Sequence, residues 1–229
     1  RFAASTTYTF TTFTLNGQAT GTRVALRSSS GGTQWTVTTT TESVSYTDVK
    51  DSLATNEILA DDGTNFDSGN NNANWVFLQT LTVSLDTNSV TLGTLSTATI
   101  NKVAVISTVT TNALNGYVSQ VLYDHKLRID VSTDINDTSG GTIVAGTEEF
   151  GAATSDSGND IALWNPTSCT SGASTSDATA LTASIQSFAS ATAAATSDAT
   201  TLCLMASITG ATTAGAYSNT LTLVTTGKF

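Results

Sequence analysis

The single histidine and two Asp-Ser-Gly triplets are the residues whose types could support catalysis. A Ser-His-Asp triad needs a carboxylate that orients the histidine and a hydroxyl that the histidine activates. His125 directly follows Asp124, and neighbouring residues on a strand point to opposite faces, which does not suit such a pair. The triplets at Asp67 and Asp156 lie in loop sequence, not in the buried apolar strands of an aspartic protease. The sequence therefore predicts a protein that is not an enzyme.

Two groups of oxygen-bearing side chains resemble weak metal sites. Ca²⁺ prefers carboxylate and amide oxygens, but neither group has the spacing of an EF-hand loop. A hydrated turn accounts better for such spacing, so the sequence predicts no bound metal and no cofactor. The first group is Asp61, Asp62, Asn65 and Asp67; the second, weaker one is Asp130, Asp134 and Asp137.

Three tryptophans and one asparagine are the candidates for carbohydrate chemistry. Trp35, Trp75 and Trp164 could form a platform on which sugar rings stack, but tryptophan in a β-protein more often fills the core. Both interpretations stay open at the level of sequence. Asn136 begins the only Asn-X-Thr glycosylation triplet, on a predicted loop.

Two cysteines, Cys169 and Cys203, remain after these candidates. With a single histidine in the chain, they are too few for a zinc site. In an exported protein they predict one disulfide, and two buried free thiols are the alternative. The chain begins at Arg1 and not at Met, which favours a cleaved signal peptide over an arbitrary start. We therefore expect an extracellular protein at the cell surface.

The composition excludes several classes of partner. Only 11% of the residues are charged and the formal net charge is -10, whereas nucleic-acid binding needs clustered Lys and Arg. No apolar run approaches the length of a transmembrane helix. Threonine and serine are abundant, and threonine is β-branched and favours strands. Such side chains lose little rotamer freedom when a neighbouring molecule buries them, as in a polymerising subunit.

Alternating apolar residues and turn signals predict an all-β chain. Asn16-Gly17 and Asn115-Gly116 mark tight turns, and short strands recur between such signals in the manner of an antiparallel sandwich. In residues 2–15 the alternation slips by one residue at Thr11-Thr12. Residues 49–59 could contain a helical turn. Residues 177–200 fit a helix or a strand, and we favour a strand at 183–188.

A boundary near residue 79 separates two parts of different character. Residues 1–78 predict an additional N-terminal β region, and residues 79–229 predict an antiparallel β-sandwich of Ig-like or jelly-roll type. A polar loop rich in Asp, Asn and Gly ends the first part, and sharper alternation begins the second.

From residue 79 onward the chain resembles secreted Ig-like β-sandwich surface proteins of bacteria. The resemblance rests on LTVSLDTNSVTLGTLS at 81–96, the turn from Thr111 to Tyr117, GTEEFG at 146–151, and the closing strand at 208–229. The closing pattern is also similar to that of pilin and spore-coat sandwiches. The resemblance covers about two thirds of the chain and implies secretion, a sandwich fold and a surface role, without catalytic residues.

These observations favour a structural subunit of an extracellular filament or pilus-like homopolymer. Sandwich subunits polymerise when one lends a strand to the open sheet edge of the next. Residues 2–15 are the predicted donor strand, and its interface side chains would be Phe2, Tyr8, Phe10, Phe13 and Leu15. The competing view is that this segment is the first strand of its own domain. The alternative function is a carbohydrate-binding adhesin that uses the tryptophans.

Overall fold

A computed structural model of the chain describes residues 1–164 and 169–229. In this described part, the regular structure is β-strand apart from one 3-10 turn at Thr20–Thr22, which confirms the all-β prediction. The chain divides into two compact units, one of Arg1–Thr80 with Phe229 and one of Leu81–Lys228. The division falls two residues after the boundary expected from the sequence. We name the first the coil unit and the second the two-sheet unit.

The coil unit consists of parallel strands that stack in three small sheets. The strand orders are β1-β3-β5, β2-β4-β7 and β6-β8. The eight strands are β1 (Thr7–Asn16), β2 (Val24–Leu26), β3 (Trp35–Ser45), β4 (Thr47–Val49), β5 (Ser52–Ala54), β6 (Ile58–Ala60), β7 (Phe66–Asp67) and β8 (Trp75–Phe77).

The pairing of residues between strands shows that the chain winds as a coil. Each turn of the coil, which we call a rung, has a nearly constant length. Trp35 pairs with Ser52 and Ile58 pairs with Trp75, each 17 residues later in the sequence. The first rung is longer, because Thr7 pairs with Thr36, 29 residues later. Parallel neighbours cannot be joined by a tight hairpin, so the chain must travel around the coil between them. Parallel pairing is a feature that the sequence analysis does not predict.

Alternation within β3 places the core of the coil unit. Trp35, Val37 and Thr39 are buried, Thr40 and Thr41 are both exposed, and Val44 is buried again. The two consecutive exposed residues mark a corner at which the strand turns from one side of the coil to the next. The slip at Thr11-Thr12 in β1 is the matching corner, because the hydroxyls of Thr40 and Thr41 both donate to Thr11 O.

The two-sheet unit contains two larger antiparallel sheets, β15-β18-β10-β9 and β17-β11-β19, and the small pairs β12-β13 and β14-β16. Its strands are β9 (Leu81–Leu85), β10 (Asn101–Thr111), β11 (Tyr117–Tyr123), β12 (Arg128–Asp130), β13 (Thr133–Asp134), β14 (Thr142–Val144), β15 (Glu149–Thr154), β16 (Thr175–Asp177), β17 (Gln186–Ala191), β18 (Ala195–Ser207) and β19 (Leu221–Gly227).

Side chains from both larger sheets meet in one apolar core. Val109 and Leu202 come from the first sheet, and Val121 and Phe188 from the second. On the other face of β18, Cys203 and Met205 belong to a separate buried cluster. Because β18 is covered on both faces, its C-terminal half is continuously apolar instead of alternating. Antiparallel sheets around a shared core are established here, and the Ig-like or jelly-roll assignment stays a prediction.

Local expectations from the sequence had mixed outcomes. The turn at Asn115-Gly116 is present, and Gly116 adopts φ +75, where an added Cβ would lie 2.0 Å from Ala191 O. The strand expected at 183–188 overlaps β17. A helical turn within residues 49–59 is wrong, because the stretch contains β5 and the start of β6, joined by bends and not by helix.

Candidate assembly surface

The segment predicted as a donor strand forms the first rung of its own coil. β1 pairs with β3 in a parallel register of constant offset from Thr7 to Asn16, interrupted only at Thr11. Ahead of β1, Phe2 N donates to Arg27 O at 2.8 Å. The structure thus corrects the prediction that residues 2–15 pair with a neighbouring subunit. Their apolar side chains have a nearer partner, which is the end of the coil core that they cover.

Aromatic rings tie this rung to later rungs of the coil. Phe2 stacks on Trp35 with ring centroids 3.8 Å apart, and Tyr8 meets Phe2 edge-on at 5.0 Å. Phe13 lies edge-on to Trp75 at 6.4 Å and is itself buried. In contrast, Phe2, Tyr8, Phe10 and Leu15 are only partly buried. A terminal rung has a packing neighbour on one side only, so these side chains keep exposed apolar surface.

The outer edge of β1 is free. Thr36 N of β3 donates to Thr6 O at 2.9 Å. Along a strand, the backbone N–H and C=O groups of successive residues point alternately toward and away from a neighbouring strand, so this bond shows which residues face β3. Thr7 and Thr9 therefore point their N–H and C=O groups away from β3. In residues 1–164 and 169–229, no strand pairs with this edge. The ten residues of β1 include no charge and no proline, and their register with β3 has no bulge.

The opposite edge of the same sheet, along β5, is closed by asparagine side chains. Asn72 Oδ1 accepts a hydrogen bond from Ala54 N at 2.9 Å, and Asn72 Nδ2 donates to Ala54 O at 2.7 Å. Asn71 Oδ1 accepts from Ser52 N at 3.0 Å. These amides take the place of the backbone of a further strand. Asparagine side chains thus end the strand pairing at β5, whereas no such closure is found at β1 among the described residues.

In the structure, the residues of the first calcium candidate form hydrogen bonds that stabilise a turn. Asp62 Oδ1 accepts from Thr64 N at 2.9 Å and from Asn65 Nδ2 at 2.8 Å. Asp67 Oδ1 accepts from Gly69 N at 2.8 Å and also from an asparagine amide. Asp61 is exposed beside them. Oxygens that already accept hydrogen bonds are poor metal ligands, and the described residues include no group of three acidic, His or Cys side chains that could hold a metal.

The three tryptophans do not form a common platform. Trp35 is fully buried in the coil core and Trp75 is 4% exposed. Trp164 belongs to the two-sheet unit and packs, partly buried, against the cluster that contains Cys203. The core interpretation therefore holds for Trp35 and Trp75. A sugar-binding role for this chain would need a different surface.

The predicted disulfide is confirmed. Cys169 and Cys203 are bonded, with their Cα atoms 5.6 Å apart, and the bond anchors the chain near residue 169 to β18. Disulfides persist in oxidising compartments, so the bond indicates an extracytoplasmic protein. Within the described residues, no helix has the length and apolar character needed to cross a membrane.

The remaining polar candidates lie at the surface of the two-sheet unit. His125 Nδ1 lies 2.7 Å from Lys126 O, and Nε2 lies 3.3 Å from Asp124 Oδ2. Among the described residues, no serine hydrogen-bonds to either side chain, so the pair gives no support to a catalytic triad. Asn136 is exposed, and its Nδ2 donates to Glu148 Oε1 at 3.1 Å. Glycosylation at Asn136 stays a prediction.

Comparison with known proteins adds no function to this geometry. The chain matches no protein-family model, no curated protein and no solved structure.

Proposed function

We propose that the chain is a structural subunit of an extracellular filament, and that the free edge of β1 is the surface on which the next subunit pairs. In this scheme β1 stays in its own coil and accepts a strand from outside. The proposal keeps the filament expected from the sequence and replaces donation of residues 2–15 by pairing onto their outer edge. The protein acts by assembly and not by catalysis.

The observation that carries the proposal is the contrast between the two edges of one sheet. A long, uncharged edge readily templates pairing with another chain, and proteins that remain monomeric usually protect such edges with charge, proline or a bulge. β1 has none of these protections over ten residues. The edge at β5 is closed by Asn71 and Asn72, so the same sheet is protected at one end only.

Side chains beside the free edge support the same proposal. Phe2, Tyr8, Phe10 and Leu15 retain exposed apolar area that a second subunit would bury. Burying one such side chain completely contributes roughly 1.5–3 kcal/mol, and partial burial contributes less. Backbone hydrogen bonds along Thr7 and Thr9 would add specificity of register.

A filament, as opposed to a closed pair, requires β1 to meet a different edge on the next copy. Pairing of β1 with β1 would close at a dimer, whereas pairing with another strand leaves each end open for further growth. β19 is the best match, because it is an edge strand of seven residues, also without charge. We therefore propose head-to-tail pairing of β1 with β19.

Two variants at Thr9 test the proposal. Thr9→Pro removes the outward-pointing N–H, which a strand edge tolerates, and Thr9→Val keeps both that N–H and the β-branched shape. We expect the unmodified protein and Thr9→Val to form filaments visible by electron microscopy, and Thr9→Pro to remain monomeric with an unchanged circular dichroism spectrum.

Several outcomes would contradict the proposal. If the unmodified protein stays monomeric at high concentration in sedimentation velocity, or stops at a dimer, there is no filament. If Thr9→Pro polymerises as well as Thr9→Val, the assembly surface lies elsewhere.

A further inference from the structure

An open cleft of about 970 Å³ lies within the two-sheet unit. Its floor is formed by side chains of β10, β15 and β18, and its walls are the irregular stretches at 87–95 and 212–220. Close-packed protein interiors contain few voids larger than a water molecule, so a space of this size is much larger than the voids that imperfect packing leaves. It lies within the range typical of small-molecule sites.

The floor of the cleft is apolar. Val105, Phe150, Leu202 and Leu204 line it, and each is less than a tenth exposed to solvent. Val103 and Leu223 continue the surface toward the mouth and are partly buried. An apolar molecule in this space would restore the packing contacts that these side chains otherwise lack.

No described side chain that lines the cleft carries a formal charge. A charged ligand would lose its hydration there without gaining an ion-pair partner, which is costly. The polar side chains in the lining are neutral ones of threonine, serine, asparagine and tyrosine. The electrostatic character of the cleft thus selects for an uncharged molecule.

One polar group in the lining lacks a partner. Asn219 Nδ2 is buried from solvent and makes no hydrogen bond with the described residues. Leaving a buried donor unsatisfied costs about 1–3 kcal/mol. The Asn219 side chain lines the cleft, and a rotation of that side chain would let the amide donate to an acceptor on a ligand. A carbonyl, ester or hydroxyl oxygen would satisfy it.

Hydrogen bonds hold both walls in place. Asn101 Nδ2 donates to Leu92 O at 2.8 Å and to Thr94 O at 3.1 Å, which fastens the first wall to β10. In the second wall, the Tyr217 hydroxyl donates to Thr213 O at 2.8 Å. The cleft is therefore largely formed before a ligand arrives, which lowers the ordering cost of binding.

We propose that this cleft binds an uncharged, mainly apolar small molecule that carries a hydrogen-bond acceptor for Asn219. The ligand class is that of neutral acyl esters, long-chain alcohols and similar amphiphiles. Leu221 and Leu223 of β19, the strand proposed to pair with β1, line the cleft, but ligand binding does not require that pairing, so the failure of one proposal leaves the other standing.

The test uses Nile red, an uncharged apolar dye with a carbonyl acceptor, whose fluorescence rises in apolar surroundings. We expect saturable binding to the unmodified chain and displacement by 1-decanol. Decanoate and decylammonium share the chain length but carry a charge, and they should compete at least tenfold more weakly. Absence of a saturable signal, or equal competition by the three compounds, would overturn the proposal.

Matched variants locate the site. Val103→Trp fills the cleft from its partly buried floor and should raise the dissociation constant for Nile red more than tenfold. Ile106→Trp is the control, because Ile106 belongs to the same strand, is 37% exposed and does not line the cleft. Equal affinities of these two variants would place the dye elsewhere and overturn the proposal.

Two Asn219 variants test the site without placing a large group in the core. Asn219→Leu removes the donor and should weaken Nile red binding about three- to tenfold, the range of one neutral hydrogen bond. Asn219→Asp replaces the donor by a charge and should weaken binding at least as much. If affinity survives in both variants, the amide has no role and the proposed acceptor contact is refuted.

Discussion

The coil unit and the two-sheet unit draw on the same Thr-, Ser- and Ala-rich composition but are held together differently. In the coil unit, β3 and β4 each pair with the rung before and the rung after, and asparagine amides close the ladder at β5. In the two-sheet unit, β10 and β18 form a long antiparallel ladder and a disulfide ties β18 to a distant segment. Similar composition thus gives a high strand content in both units, with parallel pairing in the first and antiparallel pairing in the second.

The comparison implies different modes of failure. A coil is stabilised by contacts between successive rungs, so the loss of one contact weakens its neighbours in sequence. A two-sheet core depends on residues that are far apart in the chain, and a crosslink limits how far its unfolded state can expand. The predictions that follow test this contrast, beginning with the largest expected effect.

Removing the central ring of the coil core should have the largest effect. Trp35 is fully buried and stacks on Phe2, so Trp35→Ala should destabilise the coil unit by about 3–5 kcal/mol. Trp35→Phe keeps an aromatic ring and should cost less. Hydrogen exchange measured by mass spectrometry should show faster exchange in β1, β3 and β5. Unchanged exchange in these strands would contradict a rung-by-rung dependence.

Removing the disulfide should be the next largest effect and should fall on the two-sheet unit. The bond spans a sequence separation of 34, for which loop-closure entropy gives about 3–4 kcal/mol. The double variant Cys169→Ser with Cys203→Ser should therefore unfold at lower urea concentration, with faster exchange in β10 and β18. Peptides from β3 and β4 serve as the internal reference. An unchanged midpoint would show that the crosslink contributes little.

Opening the closed edge of the coil should have an intermediate effect. Asn72→Ala removes the partner of Ala54 N and one of the two amide donors to Ala54 O, the other being Asn74 Nδ2, and should destabilise the coil unit by about 1–3 kcal/mol. Asn88→Ala, at an exposed position of the two-sheet unit, is the control and should change the unfolding free energy by less than about 0.5 kcal/mol. Equal stability of the two variants would mean that water replaces the amide at no cost.

Alkaline pH should have the smallest effect, through Tyr123 of the two-sheet unit. Burial, with a further contribution from the hydrogen bond to Asp137, raises the pKa of Tyr123 from 10.0 to about 12. The folded state favours the neutral phenol, so this stabilisation is complete below pH 10 and is lost as pH rises from about 10 to about 12. Because the side chain is partly exposed, we expect less than about 1 kcal/mol.

The variant Tyr123→Phe isolates that contribution. It should make the unfolding free energy less dependent on pH in urea titrations between pH 9 and pH 12. Tyr117, whose pKa burial also raises, stays in place and sets the slope that remains. An identical slope before and after the substitution would contradict the role of Tyr123.

Much of the two-sheet unit follows from local sequence signals. Asn115-Gly116 supplies a turn conformation that other residues adopt with strain, and the alternation at 81–85 and 117–123 corresponds to β9 and β11. The disulfide could be predicted because the chain has only two cysteines, which form a bond when they lie close together in an oxidising compartment. These features depend on neighbouring residues or on a single possible partner, which is why sequence alone was sufficient.

The coil unit was harder to predict because its signal is a repeat and not an alternation. Ile58 and Trp75 occupy equivalent places 17 residues apart, as do Trp35 and Ser52, but their side chains differ too much in size to reveal the period. The long first rung obscures it further. The open edge and the asparagine closure depend on that winding, so neither could be placed without the structure.

The cleft was also beyond the sequence, for a different reason. Its floor comes from strands that are adjacent in the sheet and far apart in the chain, and its walls have no regular structure. Asn219 carries no motif that distinguishes it from other surface asparagines. It is distinguished by its Nδ2 atom, which is buried on folding without a hydrogen-bond partner among the described residues.

The disulfide has a mechanical consequence for a protein under tension. A force transmitted along the chain passes directly between Cys169 and Cys203, and the residues between them stay outside its path. Each extended residue spans about 3.3–3.6 Å, so roughly 110 Å of contour length is withheld from stretching while the bond is oxidised. The coil unit, without a cysteine, can lengthen by releasing one rung after another. Under tension, the coil unit can therefore extend step by step, while the disulfide limits the extension of the two-sheet unit in the same chain.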